Sequence, residues 1–395
     1  MFDSFLVFLI ILSILAVIVQ DDFIFTIVYL FIGAYIIGRW WSGRSLKHLA
    51  FSRTYNQRAY WGEDVSVQLN IQNLSLLPVV WLRLHESLPV ELATASTVRE
   101  VITLGPHGKA NFTYALRARK RGYYPIGPMF ISSGDLLGFS RDNRRQFTTN
   151  HLIVYPKIIN FTAIRLPSSS PMGTLRAYQP LFEDPSRVRG KRDYVVGDSL
   201  RRVDWKTTAI TGRLQIKLYE PSMALETAIF LNLNEEEFEL HSRIDALELA
   251  ITVAASIANW VSSKKQAVGF YSNGLDPLST DGNAIMIPPR KSRSHLTRIL
   301  DVLARIQSAP VNPVADLVHQ QSPHLTWGTT LILITGRADE PLFDELFKAR
   351  QMGLNAVLIL SGQAPEYRLV KQRADQFGIP LYHFIHESDL DLWRK

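Results

Sequence analysis

The hydrophobic pattern of the chain passes through three regimes. Its first fifty residues hold two apolar runs, Phe5–Val19 and Phe23–Gly38, with no charge inside either; Gln20, Asp21 and Asp22 separate them. Each run falls slightly short of the ~20 residues that carry a helix across a bilayer. Trp40 and Trp41 suit the interfacial belt, and Arg39, Arg44 and Lys47 have stems long enough to reach the headgroups. A cleaved signal peptide would need a basic leader and a small-residue cleavage site, and neither is present. A buried hairpin would need a soluble core to cover two helices that are apolar all round. The pattern predicts a transmembrane helical hairpin over residues 1–47. Its turn is acidic and its exit basic, so the positive-inside rule places both ends in the cytoplasm.

From residue 48 to about 160 the period is two. In "DVSVQLNIQN" (Asp64–Asn73), Val65, Val67, Leu69 and Ile71 point one way; "LPVVWLRLHES", "TVREVITL", "KANFTYALRA" and "HLIVYP" behave alike, each bounded by Gly, Pro or Asn. Short alternating strands at this spacing predict an antiparallel, immunoglobulin-like β-sandwich resting on packing alone. "RARKRGYYPIGP" (Arg117–Pro128) reads as a solvated loop or strand edge, or as a basic docking segment for lipid or a partner.

From residue 226 to 395 apolar strands alternate with helices. "ETAIFLNLN", "QAVGFYSN", "TTLILITG", "LNAVLIL" and "IPLYHFI" are the strands. The helices are "SRIDALELAITVAASIANWVSSKK", apolar at Ile244, Leu247, Leu249, Ala250, Val253, Ile257 and Val261, then "PLFDELFKARQMG" and "EYRLVKQRADQFG". This predicts a mostly parallel, doubly wound α/β domain. Its ligands would lie beyond the carboxyl ends of the strands, here "NLNEEE" (Asn232–Glu237) and "TGRADE" (Thr335–Glu340). Asn232, Asn234 and Glu236 could hold a hard cation, or the loop could simply cap the next helix. No GxxxxGK[ST] occurs, and no GxGxxG follows a strand.

Composition sharpens one segment. The chain has 395 residues, no cysteine and a net charge of +7, which excludes disulfides, thiolate nucleophiles and cysteine-ligated metal sites. Residues 161–225 form a linker, and between Arg187 and Lys217 nine Lys/Arg stand against three Asp. Within it, Asp198 can cap a short helix over Ser199–Trp205 and can pair with Arg201 and Arg202 at helical spacing. Gly212 then breaks the chain, and Leu214, Ile216 and Leu218 alternate as a strand.

The segment "RGKRDYVVGDSLRRVDWKTTAITGRLQIKLYE" resembles the signature of the bacterial family known as domain of unknown function 58. Its pattern runs Arg-x-Tyr-x-x-Gly-Asp-x-x-Arg-x-Ile-Asp-Trp-Lys-x-x-Ala-Arg-x-Gly-x-Leu, then Lys. Arg192, Tyr194, Gly197, Asp198, Arg201, Asp204, Trp205, Lys206, Ala209, Gly212, Leu214 and Lys217 fit it, and Arg202 lies among them. Ile210 stands where that pattern often has Arg. "RKRGYYPIGPMFISSGDLLGFSR" (Arg119–Arg141) resembles a second family segment, with Leu136 in place of its usual Pro. The resemblance implies a membrane hairpin, a sandwich, the signature and a von Willebrand factor A-like domain, held in the bacterial inner membrane with its soluble parts in the cytoplasm. It also implies partnership with an AAA+ ATPase of the MoxR type and no established enzymatic activity. A metal-binding A domain would carry Asp-x-Ser-x-Ser after its first strand. This chain has Asn232-Leu-Asn234-Glu-Glu236 there and Gly336 near the position that often supplies an Asp, so no metal and no cofactor are expected.

Three function classes follow. The first is a non-enzymatic, membrane-anchored interaction or scaffold protein, with Arg192–Lys217 as its docking surface or as an internal fastening between domains. The second is an enzyme using Asp198 or Asp204, or a divalent-metal-dependent protein-binding A domain. No GxSxG or HExxH motif supports catalysis, and the ten histidines sit in unrelated contexts. The third is nucleic-acid binding, disfavoured by the interleaved aspartates and the missing stacking platform.

Overall fold

A computed structural model describes residues 4–92, 99–133, 143–147, 149–162, 183–195, 202–221, 226–279 and 284–393. The chain divides into two compact units, centred on residues 1–157 and 158–395.

The first unit opens with helices α1 (Ser4–Val19) and α2 (Asp22–Lys47). At 1.5 Å per residue they are about 24 and 39 Å long. Asp21 caps α2, its carboxylate accepting the Phe23 N–H at 2.7 Å. The helices pack through Leu9, Ala16, Val28 and Tyr35 and an edge-to-face contact between Phe8 and Phe31; Ile11, Ile18, Phe23 and Leu30 face outward. Among the described residues, the one helix that passes a length-and-composition test for crossing a membrane is Arg243–Ser263, and most of it is buried inside the second unit.

Ten strands follow: β1 (Leu49–Thr54), β2 (Arg58–Ala59), β3 (Asp64–Asn73), β4 (Val79–Glu86), β5 (Arg99–Leu104), β6 (Lys109–Arg117), β7 (Gly122–Ile126), β8 (Met129–Ser133), β9 (Asn143–Phe147) and β10 (Asn150–Val154). They form sheets β1-β3-β6, β2-β10-β7 and β5-β4-β8-β9 around one apolar core. All pairs are antiparallel except the two-residue β2–β10 pair. Strand β3 buries Val65, Val67, Leu69 and Ile71, the face expected from its alternation. Strand β7, the edge strand of its sheet, lies inside Arg117–Pro128, where a solvated loop or strand edge was expected. Between the sheets Arg53 pairs with Glu86, and both side chains are within 1% of full burial.

The second unit carries a two-stranded arm, β11 (Glu183–Asp193) and β12 (Gln215–Pro221), with helix α3 (Trp205–Thr211) between them. The α/β part follows with β13 (Glu226–Leu231), α4 (Arg243–Ser263), β14 (Ala267–Ser272), β15 (Ile285–Arg290), α5 (Arg293–Arg305) and α6 (Val314–Gln321). It ends with β16 (Thr330–Thr335), α7 (Glu340–Gln351), β17 (Asn355–Ser361), α8 (Tyr367–Gln376) and β18 (Leu381–Phe384). Its sheet order is β15-β14-β13-β16-β17-β18, parallel except for the edge strand β15. The strands are apolar on both faces because helices cover both. Ala228, Phe230, Leu331, Leu333 and Leu358 pack with residues of α6, α7 and α8. The alternate set, Ile229, Ile332, Ile334 and Val357, is equally buried, and α4 lies against β13, β14, β16 and β17. Ile244, expected on the apolar face of α4, is exposed in its first turn.

Candidate functional site

The arm is built by its own polar residues. Antiparallel pairing sets Lys191 opposite Lys217, Arg192 opposite Ile216 and Asp193 opposite Gln215. Tyr194 donates its N–H to the Leu214 carbonyl at 2.8 Å. On the far side of β12, Val203 bridges to Ile216, and the Asp204 N–H donates to the Gln215 carbonyl at 2.8 Å. Val203 is therefore committed to an extended conformation, and the helix starts only after it.

Of the expected helix over Ser199–Trp205, residues 199–201 lie outside the described residues, and Val203 is extended. The observed helix is Trp205–Thr211, and its cap is Asp204: one carboxylate oxygen accepts the Thr207 N–H at 3.3 Å, the other lies 2.7 Å from Lys191 Nζ. Lys191 also donates to the Thr207 hydroxyl. The Lys191 hydrogen bond, then the Thr207 N–H, push the Asp204 carboxyl down to about 2. Gly212 closes the helix at φ +67°, a left-handed cap that glycine adopts without a Cβ penalty. Thr208 then receives the Gln215 N–H on its hydroxyl at 3.0 Å, and Gln215 donates its side-chain amide to Asp193. Gly197, Asp198 and Arg201 lie outside the described residues. Arg192 donates to the carbonyl of Asp193 at 3.2 Å.

The outward surface is different in kind. No residue of α3 is buried. Trp205 is 70% exposed and Ile210 is 78% exposed; Lys206 and Arg213 are exposed beside them, Lys217 is half-buried, and Arg202 is exposed.

The second place is the switch point of the sheet, where β14 continues to one side of β13 and β16 to the other. Here the Asn232 amide donates to Glu237 Oε2 at 2.7 Å and to the Thr335 hydroxyl at 2.8 Å. Its carbonyl accepts from the Asn234 N–H and from the Asn273 amide. Asn234 caps a short 3₁₀ turn (Glu235–Glu237) through the Glu236 N–H and donates to Glu237 Oε1 at 3.2 Å. Asn232 and Asn234 are thus brought together as the spacing suggested. Glu236 contributes only its backbone, and the carboxylate in the network is Glu237. Burial first, and the charge of Asp339 after it, push the Glu237 carboxyl above its ordinary range against the pull of both amides. A cavity of about 220 Å³ opens beside it, lined by Glu236, Glu237, Gly336, Arg337, Gln363 and Glu366 among others. A Cβ at Gly336 would meet Phe238 at 2.4 Å, so the ring occupies the space that a larger side chain there would need. Both N–H bonds of the Asn232 amide and one of Asn234 point at oxygen atoms of the network, a donor set that turns positive charge toward any cation entering it. Among the described residues, no three His, Asp or Glu side chains come together as a metal cluster. Glu237 and Thr335 lie within the two strand-end segments named from the sequence but were given no role there, and Asn273 was not singled out.

Residues 190–324 match the family described as a protein of unknown function, DUF58. Over 265 residues the chain is 21% identical to the uncharacterized protein YeaD of Bacillus subtilis (strain 168); the match covers 66% of this chain and 63% of that one, so the chain spans just under two thirds of that relative's length. Among solved structures it is similar to an aerotolerance-related membrane protein from Bacteroides fragilis NCTC 9343 (TM-score 0.27, 12% identity, 42% of this chain and 94% of that chain). It is also similar to proximal thread matrix protein 1 of the mussel byssus (TM-score 0.31, 10% identity, 43% and 46%). A third is the CARDB domain of a Pyrococcus furiosus protein (TM-score 0.21, 13% identity, 27% and 86%). The matched segment runs from the arm through the Asn232–Glu237 loop to just past α6, and it is this segment of the chain that carries the DUF58 family's pattern.

Proposed function

We propose that this chain is a non-enzymatic interaction protein of the bacterial inner membrane, anchored by α1 and α2, with its folded units in the cytoplasm and the arm as its docking surface. The partner in this reading is a MoxR-type AAA+ ATPase, as the family resemblance implies, and the α/β part is von Willebrand factor A-like. The exposed apolar faces of both N-terminal helices support the anchor, since soluble surfaces rarely carry so continuous a patch. The acidic turn at Asp21 and Asp22 and the basic last turn at Arg44 and Lys47 support the orientation. The doubly wound strand order supports the A-like reading.

One observation carries the docking surface. The polar residues of the signature are used within the arm, Lys191 with Asp204 and Gln215 with Asp193, while Trp205 and Ile210 are left in solvent on a helix fixed at both ends. A rigid, exposed tryptophan flanked by bases is the kind of anchor around which interfaces concentrate their energy. The test is co-purification of the full chain from its native membrane, with and without ATP, beside a Trp205→Ser/Ile210→Ser variant of unchanged melting temperature. Loss of an AAA+ ATPase from the folded variant supports the reading; retention of the ATPase, or none in the parent, sinks it. An association that chelator abolishes would instead favour a divalent-metal-dependent A domain, and turnover abolished by Asp204→Asn would favour an enzyme.

A further inference from the structure

Within the first unit, the loop joining β3 to β4, "NLSLLP" (Asn73–Pro78), displays two leucines on a braced frame. Asn73 is fully buried, and its amide organises the loop. It donates to the carbonyls of Leu77 at 2.8 Å and Gly105 at 3.0 Å, and its oxygen accepts from the N–H and the hydroxyl of Ser75. The same Ser75 hydroxyl also lies 3.0 Å from the Leu77 carbonyl, the alternative acceptor for its one proton. Leu74 and Leu76 are nonetheless 53% and 77% exposed. A loop fixed by this many hydrogen bonds has little freedom to fold its leucines away, so their exposure is built in.

The same loop is stitched to the end of α2. The Leu74 N–H donates to the His48 carbonyl at 2.8 Å, and the Trp41 indole donates to the Pro78 carbonyl at 2.9 Å. Next to it, the His107 N–H donates to the Ser75 carbonyl, and Gly108 accepts from the Asn73 N–H. The three segments meeting here, Arg44–Leu49, Asn73–Pro78 and Gly105–Lys109, contain Arg44, Lys47 and Lys109 and no carboxylate. Exposed apolar side chains on a loop bonded to segments that carry bases and no carboxylate, beside the end of an apolar helix, have the composition of an interfacial contact with anionic lipid.

We propose that Leu74 and Leu76 enter the interfacial layer of an anionic bilayer next to the exit of α2, giving the sandwich a second membrane contact. This rests on the reading that α1 and α2 lie in that bilayer. The contact would add a second hold at the membrane surface to the one the α2–loop hydrogen bonds already give the sandwich.

The chain has no cysteine, so single labelling sites are clean. An environment-sensitive fluorophore is placed on Leu76→Cys, on Ile11→Cys in α1, and on Val90→Cys in full-length protein reconstituted into phosphatidylcholine–phosphatidylglycerol vesicles. Val90 is exposed beyond the opposite end of β4, about 26 Å of strand away from the loop. The expected result is loss of signal to nitroxide-bearing lipid at residues 11 and 76, deeper at 11, with residue 90 losing signal only to aqueous iodide. Adding Leu74→Asp should return the residue 76 label to iodide. If residue 76 behaves like residue 90 while residue 11 stays lipid-quenched, the second contact is wrong and the anchor stands. If the Leu74→Asp change leaves the residue 76 label in lipid, the label itself is driving insertion and the proposal fails. Iodide quenching at all three sites overturns the anchor as well.

Discussion

Replacing Glu86 by Gln tests what the ion pair in the sandwich core is worth. Arg53 donates to Glu86, to the Ile126 carbonyl at 3.1 Å and to Asn150 Oδ1 at 2.8 Å. Its neighbour Gly127 has a φ of +95°, and a Cβ there would come within 3.2 Å of the guanidinium, so the backbone wraps closely round the charge. Glu86→Gln keeps the shape and removes the negative charge. It leaves a guanidinium that is 1% exposed facing only neutral acceptors, and breaking one side of such a pair costs about 3–5 kcal/mol. Arg53→Met/Glu86→Leu removes both charges and fills the space; replacements of this kind are close to neutral, within roughly 1 kcal/mol, or stabilising. The assay is amide hydrogen exchange at β1 and β4 in the full chain, which reads the sandwich without requiring the whole protein to unfold in one step. The single variant should lose roughly two to four decades of protection at 1.36 kcal/mol per decade, and the double variant should recover most of it. A single variant that loses less than about one decade, or a double variant no better than the single, would refute the reasoning.

Other consequences are smaller. Gly336→Ala drives a Cβ to 2.4 Å from Phe238 and 2.7 Å from the Glu237 carbonyl; overpacking of this kind costs about 1–3 kcal/mol, read as a lowered urea midpoint for the α/β unit. Asp204, held at about 2 against an ordinary 3.8, contributes stability that is complete above 3.8 and is lost as pH falls toward 2. Exchange protection in α3 should collapse over that window in the parent and be low and flat in Asp204→Asn. In the α/β unit two groups titrate in opposite senses. Glu237 is raised by burial, so its contribution is lost as pH rises above 4.5 through its folded value; His295, lowered by burial, contributes stability present above 6.5 and lost as pH falls. The two contributions have opposite sign: relative to the parent, Glu237→Gln should shift the pH slope of stability above 4.5 upward and His295→Gln should shift the slope below 6.5 downward, each by at most about 1.4 kcal/mol per pH unit in denaturant titrations. Parallel slopes in the two variants would contradict the assignment.

The parts read correctly in advance are those where burial dictates period. Strand β3 has one buried face, so Val65, Val67, Leu69 and Ile71 alternate, and the parallel strands are apolar throughout because helices cover both sides. Helix α5 was missed although Leu296, Ile299, Leu300 and Leu303 stand at i, i+3, i+4 and i+7; the signal was present and went unused. Other features depend on distant partners. Asp198, the cap suggested by local spacing, lies outside the described residues. Asp204 is the cap of the observed helix because Lys191, thirteen residues upstream, reaches it and because Val203 is held extended against Ile216. Glu235, Glu236 and Glu237 cannot be ranked from a run of three. The Asn234 cap turns the chain so that the third of them meets Asn232.

The charge pattern of Arg187–Lys217 reads on paper as a basic patch, yet the arm uses several of those residues to hold itself together. Lys191 is paired with Asp204 and Gln215 with Asp193 within the arm, while Trp205 and Ile210 stand exposed with Lys206 and Arg213 beside them. On such a face the apolar centre and the charged rim act on different rates. A buried aromatic anchor governs dissociation, and its truncation typically costs 2 kcal/mol or more, about a thirtyfold faster off-rate. A rim charge mainly steers encounter, so Lys206→Glu should slow association toward an acidic partner, with a difference that shrinks as salt rises past about 0.15 M. Binding kinetics of the purified full chain against the ATPase proposed as its partner separate the two: Trp205→Ala in the off-rate, Lys206→Glu in a salt-sensitive on-rate. If both substitutions act on the on-rate alone, the surface is an electrostatic patch after all, and Trp205 is not its anchor.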